Sequence, residues 1–363
     1  MFNIIRVIII FRIGSDKLGV LDNKCPACNA KINFNPVNQK WDCEYCGSKF
    51  SLEEMQQHNN ASTVEANTVV VNVEKMGEMD MYHCNNCGAE IIADDTTTST
   101  FCVYCGSTAI LKNKIDAGRA PNYIIPFKNI KEDAIKAFTK VTKNKPLVPK
   151  CFKDIKNIEK VTGVYIPFWA YDLNATGEVS LTATDVTTWS DSVYRYTRTD
   201  TYSVRRHGYF DFKKVLADAS SRFSDDLMDS IEPFNYDELA PYNHAYLSGF
   251  LAEKYDVEEE VGLQRATDRT MMTCNDLIKS SVRHGSVTIV NNGMVIKPEH
   301  CHYIMLPVWM VNIKYKDKMY TFAMNGQTGK MIGDMPIGGK ETAIWFFGIF
   351  IVAFIIFFFV FGS

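Results

Sequence analysis

The chain has 363 residues, room for two or three domains, with 39 Lys and Arg against 42 Asp and Glu and a net charge of -3. At 46% hydrophobic and 22% charged residues it is neither a disordered nor a fibrous sequence. Its charge balance gives no global reason to expect nucleic acid as a partner. Eleven cysteines are the unusual feature, and their spacing has to decide between metal, disulfides and nucleophiles.

Residues 1–20 read as an N-terminal extension. Residues 2–11 are apolar but interrupted by Arg6; the run is too short to cross a bilayer and lacks a clear small-residue cleavage site. An extra strand, or a start site placed too far upstream, is the expectation.

Residues 21–57 and 81–111 hold the cysteines in pairs. The first unit carries Cys25, Cys28, Cys43 and Cys46, the second Cys84, Cys87, Cys102 and Cys105. Each reads C-x2-C, fourteen residues, C-x2-C. A tetrahedral four-thiolate zinc site needs two close pairs brought together by a hairpin, and this spacing supplies them. Asn29, Gly47, Gly88 and Gly106 follow the second cysteine of each pair, where a positive φ turns the backbone N–H back toward sulfur. A disulfide framework is the alternative; knuckle spacing without a secretory signal favours metal and a reducing compartment. Four thiolates close a site, so zinc here serves folding, whereas a catalytic zinc keeps one position for water. Each unit resembles a zinc ribbon of the transcription factor IIB type, also seen in the cysteine-rich part of the primosomal helicase. Beyond the ribbons the chain is similar to a bacterial group of zinc-ribbon membrane proteins. The resemblance implies two Zn2+ sites and a small β fold at each, and no particular activity.

Ser51 and Glu54 make a capping box for a short helix to about Gln57. Residues 58–80 are polar and read as a linker with a strand at 69–73, so the two ribbons are expected to move separately. An α+β domain is expected over residues 120–337. In it, 123–127 reads as a strand and 131–142 as a helix with Ala134, Ile135, Phe138 and Val141 on one face. GVYIPFWAY at 163–171 is echoed by YIMLPVWMV at 303–311, which points to two copies of one unit. Residues 178–212 alternate as strands and interleave Tyr194, Arg195, Tyr196, Arg198, Tyr202, Arg205, Arg206 and Tyr209, a pattern shared by exposed strand faces and nucleic-acid binders. A helix is expected over 256–281, capped by Asp256 and Glu259, with Leu263, Ala266, Thr270, Cys274, Leu277 and Ile278 as its stripe. Strands follow at 286–290, 311–315 and 319–324, then a turn at Asn325-Gly326. Residues 320–333 are similar to the closing hairpin of cystatin-like and PepSY domains.

Residues 343–361 are nineteen without a charge, fifteen of them Ile, Val or Phe. At about -0.3 to -0.6 kcal/mol each, these favour insertion by roughly 5 to 9 kcal/mol, enough for one transmembrane helix acting as a tail anchor. Lys330 and Lys340 precede it and only Gly362 and Ser363 follow, so the bulk is expected in the cytoplasm of a single-pass cell-membrane protein.

Residues 112–160 carry thirteen Lys and Arg against five Asp and Glu, and 218–260 two against twelve. These are solvated faces, or a basic surface for anionic lipid or nucleic acid. No P-loop, dinucleotide fingerprint or hydrolase elbow occurs; Gln327-Thr328-Gly329-Lys330 lacks the first Gly and the following Ser or Thr. No catalytic residue and no cofactor site other than zinc is assigned. His300-Cys301-His302 would point to opposite faces of a strand. The expected function is a non-enzymatic adaptor or scaffold that recruits a protein partner to the membrane; the alternative is a membrane-tethered nucleic-acid binder using the ribbons and the basic segment.

Overall fold

The computed structural model describes residues 24–55, 57, 78–84, 90–93, 102, 110–116, 119–155, 158–223, 225–316 and 318–361. The N-terminal extension, the expected strand at 69–73, and Cys87 and Cys105 lie outside the described residues.

The first cysteine unit is a three-stranded antiparallel sheet of β1 (Asn33–Asn35), β2 (Lys40–Asp42) and β3 (Lys49–Phe50). A helical turn at 52–55 follows, and its start is the expected capping box. Ser51 N–H donates to the Glu54 carboxylate (2.7 Å), and Glu54 N–H donates to Ser51 Oγ (3.3 Å). Next come β4 (Glu78–Cys84), β5 (Glu90–Ala93) and β6 (Ile110–Asp116), in the order β5-β4-β6. Paired strand thus starts inside the stretch expected to be linker, at Glu78, and ends beyond the expected ribbon boundary at residue 111.

The remaining elements are β7 (Tyr123–Ile124), α1 (Lys131–Lys143), β8 (Ile158–Ser190), β9 (Arg195–Asp218), α2 (Asp225–Ile231), β10 (Ala240–Pro241) and β11 (Leu251–Glu253). They continue with α3 (Glu259–Ser280), β12 (Ser286–Asn292), β13 (Val295–Tyr315), β14 (Lys318–Asn325), β15 (Met331–Gly333) and α4 (Gly339–Phe361). The fold is mixed α+β. β7 stops well before residue 127 because Pro126 has no N–H for the ladder. α1 buries Ala134, Phe138 and Thr142 against the sheet, with Ile135 and Val141 at its flanks. α3 buries Gly262, Ala266, Thr270, Cys274 and Ile278. Leu277, placed on that stripe from the sequence, is instead 46% exposed. The expected cap of α3 also differs. Its N-cap is Glu258 without a side-chain bond, and Asp256 accepts from the Ser221 N–H and hydroxyl, both at 2.7 Å.

β8 and β13 are the frame. They pair antiparallel over most of β13, with Tyr165 opposite Pro307, Ile166 opposite Leu306, and Pro167 opposite Met305. The two echoed sequence stretches therefore lie against each other. Around them one construction occurs twice. Trp169 Nε1 donates to the Val257 carbonyl (2.8 Å), two residues before α3; Trp309 Nε1 donates to the Asn129 carbonyl (2.9 Å), two residues before α1. β11 runs parallel to β8, and β7 parallel to β13. Asp256 and Val257 N–H both donate to Ala219 O (3.0 and 3.2 Å), as Lys128 and Asn129 donate to Gly326 O (3.0 and 2.9 Å). Ala219 N–H donates to Pro167 O (3.0 Å), and Gly326 N–H to Pro307 O (2.8 Å). Each long strand then returns through a hairpin, β8 to β9 and β13 to β14.

The hairpins differ in length. β8 and β9 run on as a long arm to a turn between Ser190 and Arg195, while β13 turns into β14 at Lys316. α4 is long and apolar enough to cross a membrane, and no residue of Gly339–Phe357 is buried among the described residues.

Candidate metal centre and its surroundings

The sulfurs of Cys25, Cys28, Cys43 and Cys46 all lie within 4.8 Å of one another. Cys25 and Cys46 Sγ are 3.6 Å apart, as are Cys28 and Cys43 Sγ. Zinc–sulfur bonds of about 2.3 Å in a tetrahedron put sulfurs about 3.8 Å apart, so the set fits that ion. The loops are built alike. Asn29 (φ 61°) donates its N–H to Cys25 O at 2.8 Å, and Gly47 (φ 73°) to Cys43 O at 2.9 Å. Cys25 N–H donates to Ala30 O at 2.7 Å, and Cys43 N–H to Ser48 O at 2.9 Å. These are the positive-φ positions anticipated from sequence.

Cys46 and Cys28 are pushed in opposite directions. The Ser48 hydroxyl, 3.3 Å from Cys46 Sγ, together with the Ser48 backbone, pulls that thiol down to about 6. For Cys28 a backbone hydrogen bond with Ala30 lowers the pKa, but desolvation and the three other sulfurs outweigh it and push it up to about 12. Four thiols this close titrate as a group, and a divalent cation among them would hold all four as thiolates.

The centre is anchored in the main core, where a free-standing module had been expected. Trp41, 1% exposed, donates its Nε1–H to Ala245 O at 2.8 Å and packs with Phe34 and Tyr246 at ring distances of 5.0–5.3 Å. Phe34 N–H reaches Ser248 O (3.2 Å), and Gln39 Nε2 reaches Phe127 O (2.8 Å). Cys25 and Cys43 are buried in the same apolar cluster as Phe127, Tyr165 and Trp309. Of the second set, Cys84 and Cys102 are both buried; its β5 pairs with β11, Ile92 opposite Ala252, so this unit continues the edge of the main sheet.

A Bacillus subtilis (strain 168) protein described as the uncharacterized protein YdjG is 35% identical over 331 residues, covering 91% of this chain and 94% of that protein. The chain belongs to the YdjG family. No family model matches it, and no solved structure matches it.

Elsewhere in this YdjG-family chain, residues adjacent in sequence are separated in space. His300 and His302 stack in parallel 6.3 Å apart, while Cys301 turns to the other side, beside Tyr171 and Glu259. There burial, helped by the Glu259 carboxylate, pushes its thiol up to about 12. The interleaved stretch on β9 divides by strand alternation: Tyr196, Arg198, Tyr202 and Arg206 lie on one face, Arg195, Arg205 and Tyr209 on the other. Arg198 pairs with Asp200 at 2.9 Å, and Arg205 stands 4.0 Å from Glu178. Gln327-Thr328-Gly329-Lys330 is a turn held by Asn325, whose side-chain oxygen accepts from Gln327 and Thr328 N–H, both at 2.9 Å. Lys330 Nζ donates to Glu232 O at 2.6 Å, not toward an open phosphate site.

Two features were missed in the sequence. Arg265 and Arg269 of α3 meet Asp218, Asp229 and Glu232 in a half-buried ion-pair network. Burial pushes the Glu232 carboxyl up, against the pull of Arg269. The other feature is the tip of the arm. Asp191 accepts from Val193 N–H (2.8 Å), Tyr194 N–H (2.7 Å) and the Tyr196 hydroxyl (2.9 Å). Trp189 and Tyr196 stack 5.7 Å apart at 17°. The turn is thereby ordered while Val193 and Tyr194 stay 72% and 65% exposed.

Proposed function

We propose that the chain is a single-pass membrane protein with two structural zinc ribbons, and that it acts as a non-enzymatic adaptor holding a protein partner at the cytoplasmic face. The arm tip carries this reading. A pre-ordered group of Trp189, Val193, Tyr194 and Tyr196 stands clear of the core. Exposed aromatics with little freedom left to lose are what protein interfaces use as anchors. α4 supports the membrane location by its length and composition, and Lys330 and Lys340 before it support a cytoplasmic bulk. The nucleic-acid alternative gains little from β9, where the basic residues divide between two faces and Arg198 is already paired. The twice-occurring construction around Ile166 and Leu306 supports reading residues 120–337 as two copies of one unit.

The four thiolates of the first ribbon would hold zinc closed to water, and Cys84, Cys87, Cys102 and Cys105 would hold the second ion by the same spacing. Metal analysis of the purified chain returns two zinc ions, and Cys43→Ser leaves one; a wild-type value of one or none refutes the second site or both.

A photo-crosslinking residue placed at Val193 of the full chain in native membranes tests the partner. The expected result is one protein adduct, insensitive to moderate salt and lost in Trp189→Ala with Tyr194→Ala. A nucleic-acid adduct whose yield falls steeply with salt, or no adduct, overturns the adaptor reading.

A further inference from the structure

The end of the domain from which α4 departs combines lysines with exposed aliphatic side chains. Gly338 N–H donates to Leu147 O (2.9 Å), and Thr342 N–H and Oγ1 both donate to Gly338 O (2.9 Å). The first turn of α4 is therefore tied to the loop that follows α1. Four residues separate Gly338 from the start of the uncharged run at residue 343, a rise of about 7 Å along a helix axis. That is the thickness of one headgroup layer, since a bilayer of about 40–45 Å has an apolar core of about 30 Å.

The β13–β14 turn reaches the same end, because Phe152 packs on Tyr315 and Tyr320 at 5.9 and 5.3 Å. Residues 140–160 hold seven lysines and two acids, and 314–318 three lysines and one acid. Lys143, Lys145, Lys150, Lys316 and Lys318 are exposed. Among these lysines, large apolar side chains are also exposed: Leu147 (38%), Ile155 (49%) and Ile337 (74%). Lys145, Leu147, Asp334, Met335, Pro336 and Ile337 line an open, largely apolar cleft of about 360 Å³ beside the start of α4. Exposed aliphatic groups among lysines, next to a membrane-crossing helix, are suited to a surface that is apolar below and anionic above.

We propose that this end is a second membrane contact: the lysines of 143–153 and 314–318 bind the headgroups of anionic phospholipid, while Leu147 and Ile337 enter the interface. The proposal rests on the reading that α4 crosses the bilayer. It fixes the tilt of the domain, so that β8 leaves the membrane surface from its first residues and carries the arm tip away from it. Each lysine near an anionic surface contributes about a fivefold change in local affinity.

Hydrogen–deuterium exchange of the full chain in nanodiscs is the test, with phosphatidylcholine alone against a phosphatidylcholine–phosphatidylglycerol mixture. The expected result is α4 protected in both, and residues 143–153 and 314–318 exchanging at least about fivefold more slowly in the anionic discs. The difference disappears in 1 M salt, where screening acts within about 3 Å, and in Lys143→Glu with Lys145→Glu and Lys150→Glu, all surface positions. Equal exchange in the two lipids with α4 protected overturns this contact and leaves the membrane crossing intact. Unprotected α4 overturns the crossing, and the contact with it.

Discussion

The two halves of the sheet, β7 to β9 with α1 and β11 to β14 with α3, share a backbone plan and differ in what is hung on it. In each, a short strand that runs parallel to the other half's long strand leads into a helix, the long strand's tryptophan holds the carbonyl just before the other half's helix, and a hairpin returns. One hairpin grows into an arm with an aromatic tip, and the other stays a tight turn beside the start of α4. Equivalent posts also carry different residues. Asp218 lies opposite Phe168, and Asn325 opposite Val308. Asp218 is paired with Arg265, whereas Asn325 donates to the Ile231 and Pro233 carbonyls at 3.0 and 3.2 Å. Backbone geometry is kept where hydrogen bonds demand it, and side chains are free to diverge where a new partner satisfies them.

The largest effect should come from exchanging those posts. Asp218→Asn leaves Arg265 with one carboxylate fewer in a half-buried place and should cost about 3 kcal/mol. Asn325→Asp turns a fully buried donor into an acceptor facing two carbonyls and should cost about 2 to 3 kcal/mol. Urea unfolding measures both, and a neutral result at either site would make the posts interchangeable. A smaller and equal effect is expected from Trp169→Phe and Trp309→Phe. Each removes one indole hydrogen bond and part of a buried ring, about 2 kcal/mol. Unequal losses, read from the same curves, would break the correspondence between the halves.

The smallest effect belongs to the arm, which one half has and the other lacks. His284 Nδ1 lies 2.8 Å from Asp185, and Gly285 N–H donates to the same carboxylate at 2.8 Å. The His284 hydrogen bond first, then the Gly285 N–H, hold Asp185 below the usual carboxylate range. A depressed acid contributes stability above its unfolded value and loses it as pH falls through the folded one, so the β8–β12 junction should loosen only below about pH 4. Amide exchange at Ser286 between pH 6 and 3 should show this, and Asp185→Asn should remove the pH dependence.

Local chemistry was legible in the sequence. The cysteine spacing marked the sulfur cluster, the residues after it took positive φ at Asn29 and Gly47, and Ser51 with Glu54 capped a turn. α1 and α4 followed from periodicity and apolar length. What was hidden is long-range. Trp41 reaches Ala245 across 204 positions, and that contact turns an expected mobile ribbon into part of the core. Asp256 reads as a cap by spacing, yet Ser221, distant in sequence, claims it. Trp189 resembles any strand residue until Tyr196 is brought opposite it.

β8 runs from Ile158, opposite Ile313 near the β13–β14 turn, to Ser190 at the tip of the arm. A load applied at that tip and resisted at the base is directed along the strand, while its hydrogen bonds to β9 and β13 lie across it. Such a pull strains many ladder bonds together instead of peeling them one at a time. The arm is therefore stiff under tension from its end and weak to sideways force at its turn, the mechanical behaviour of a tether.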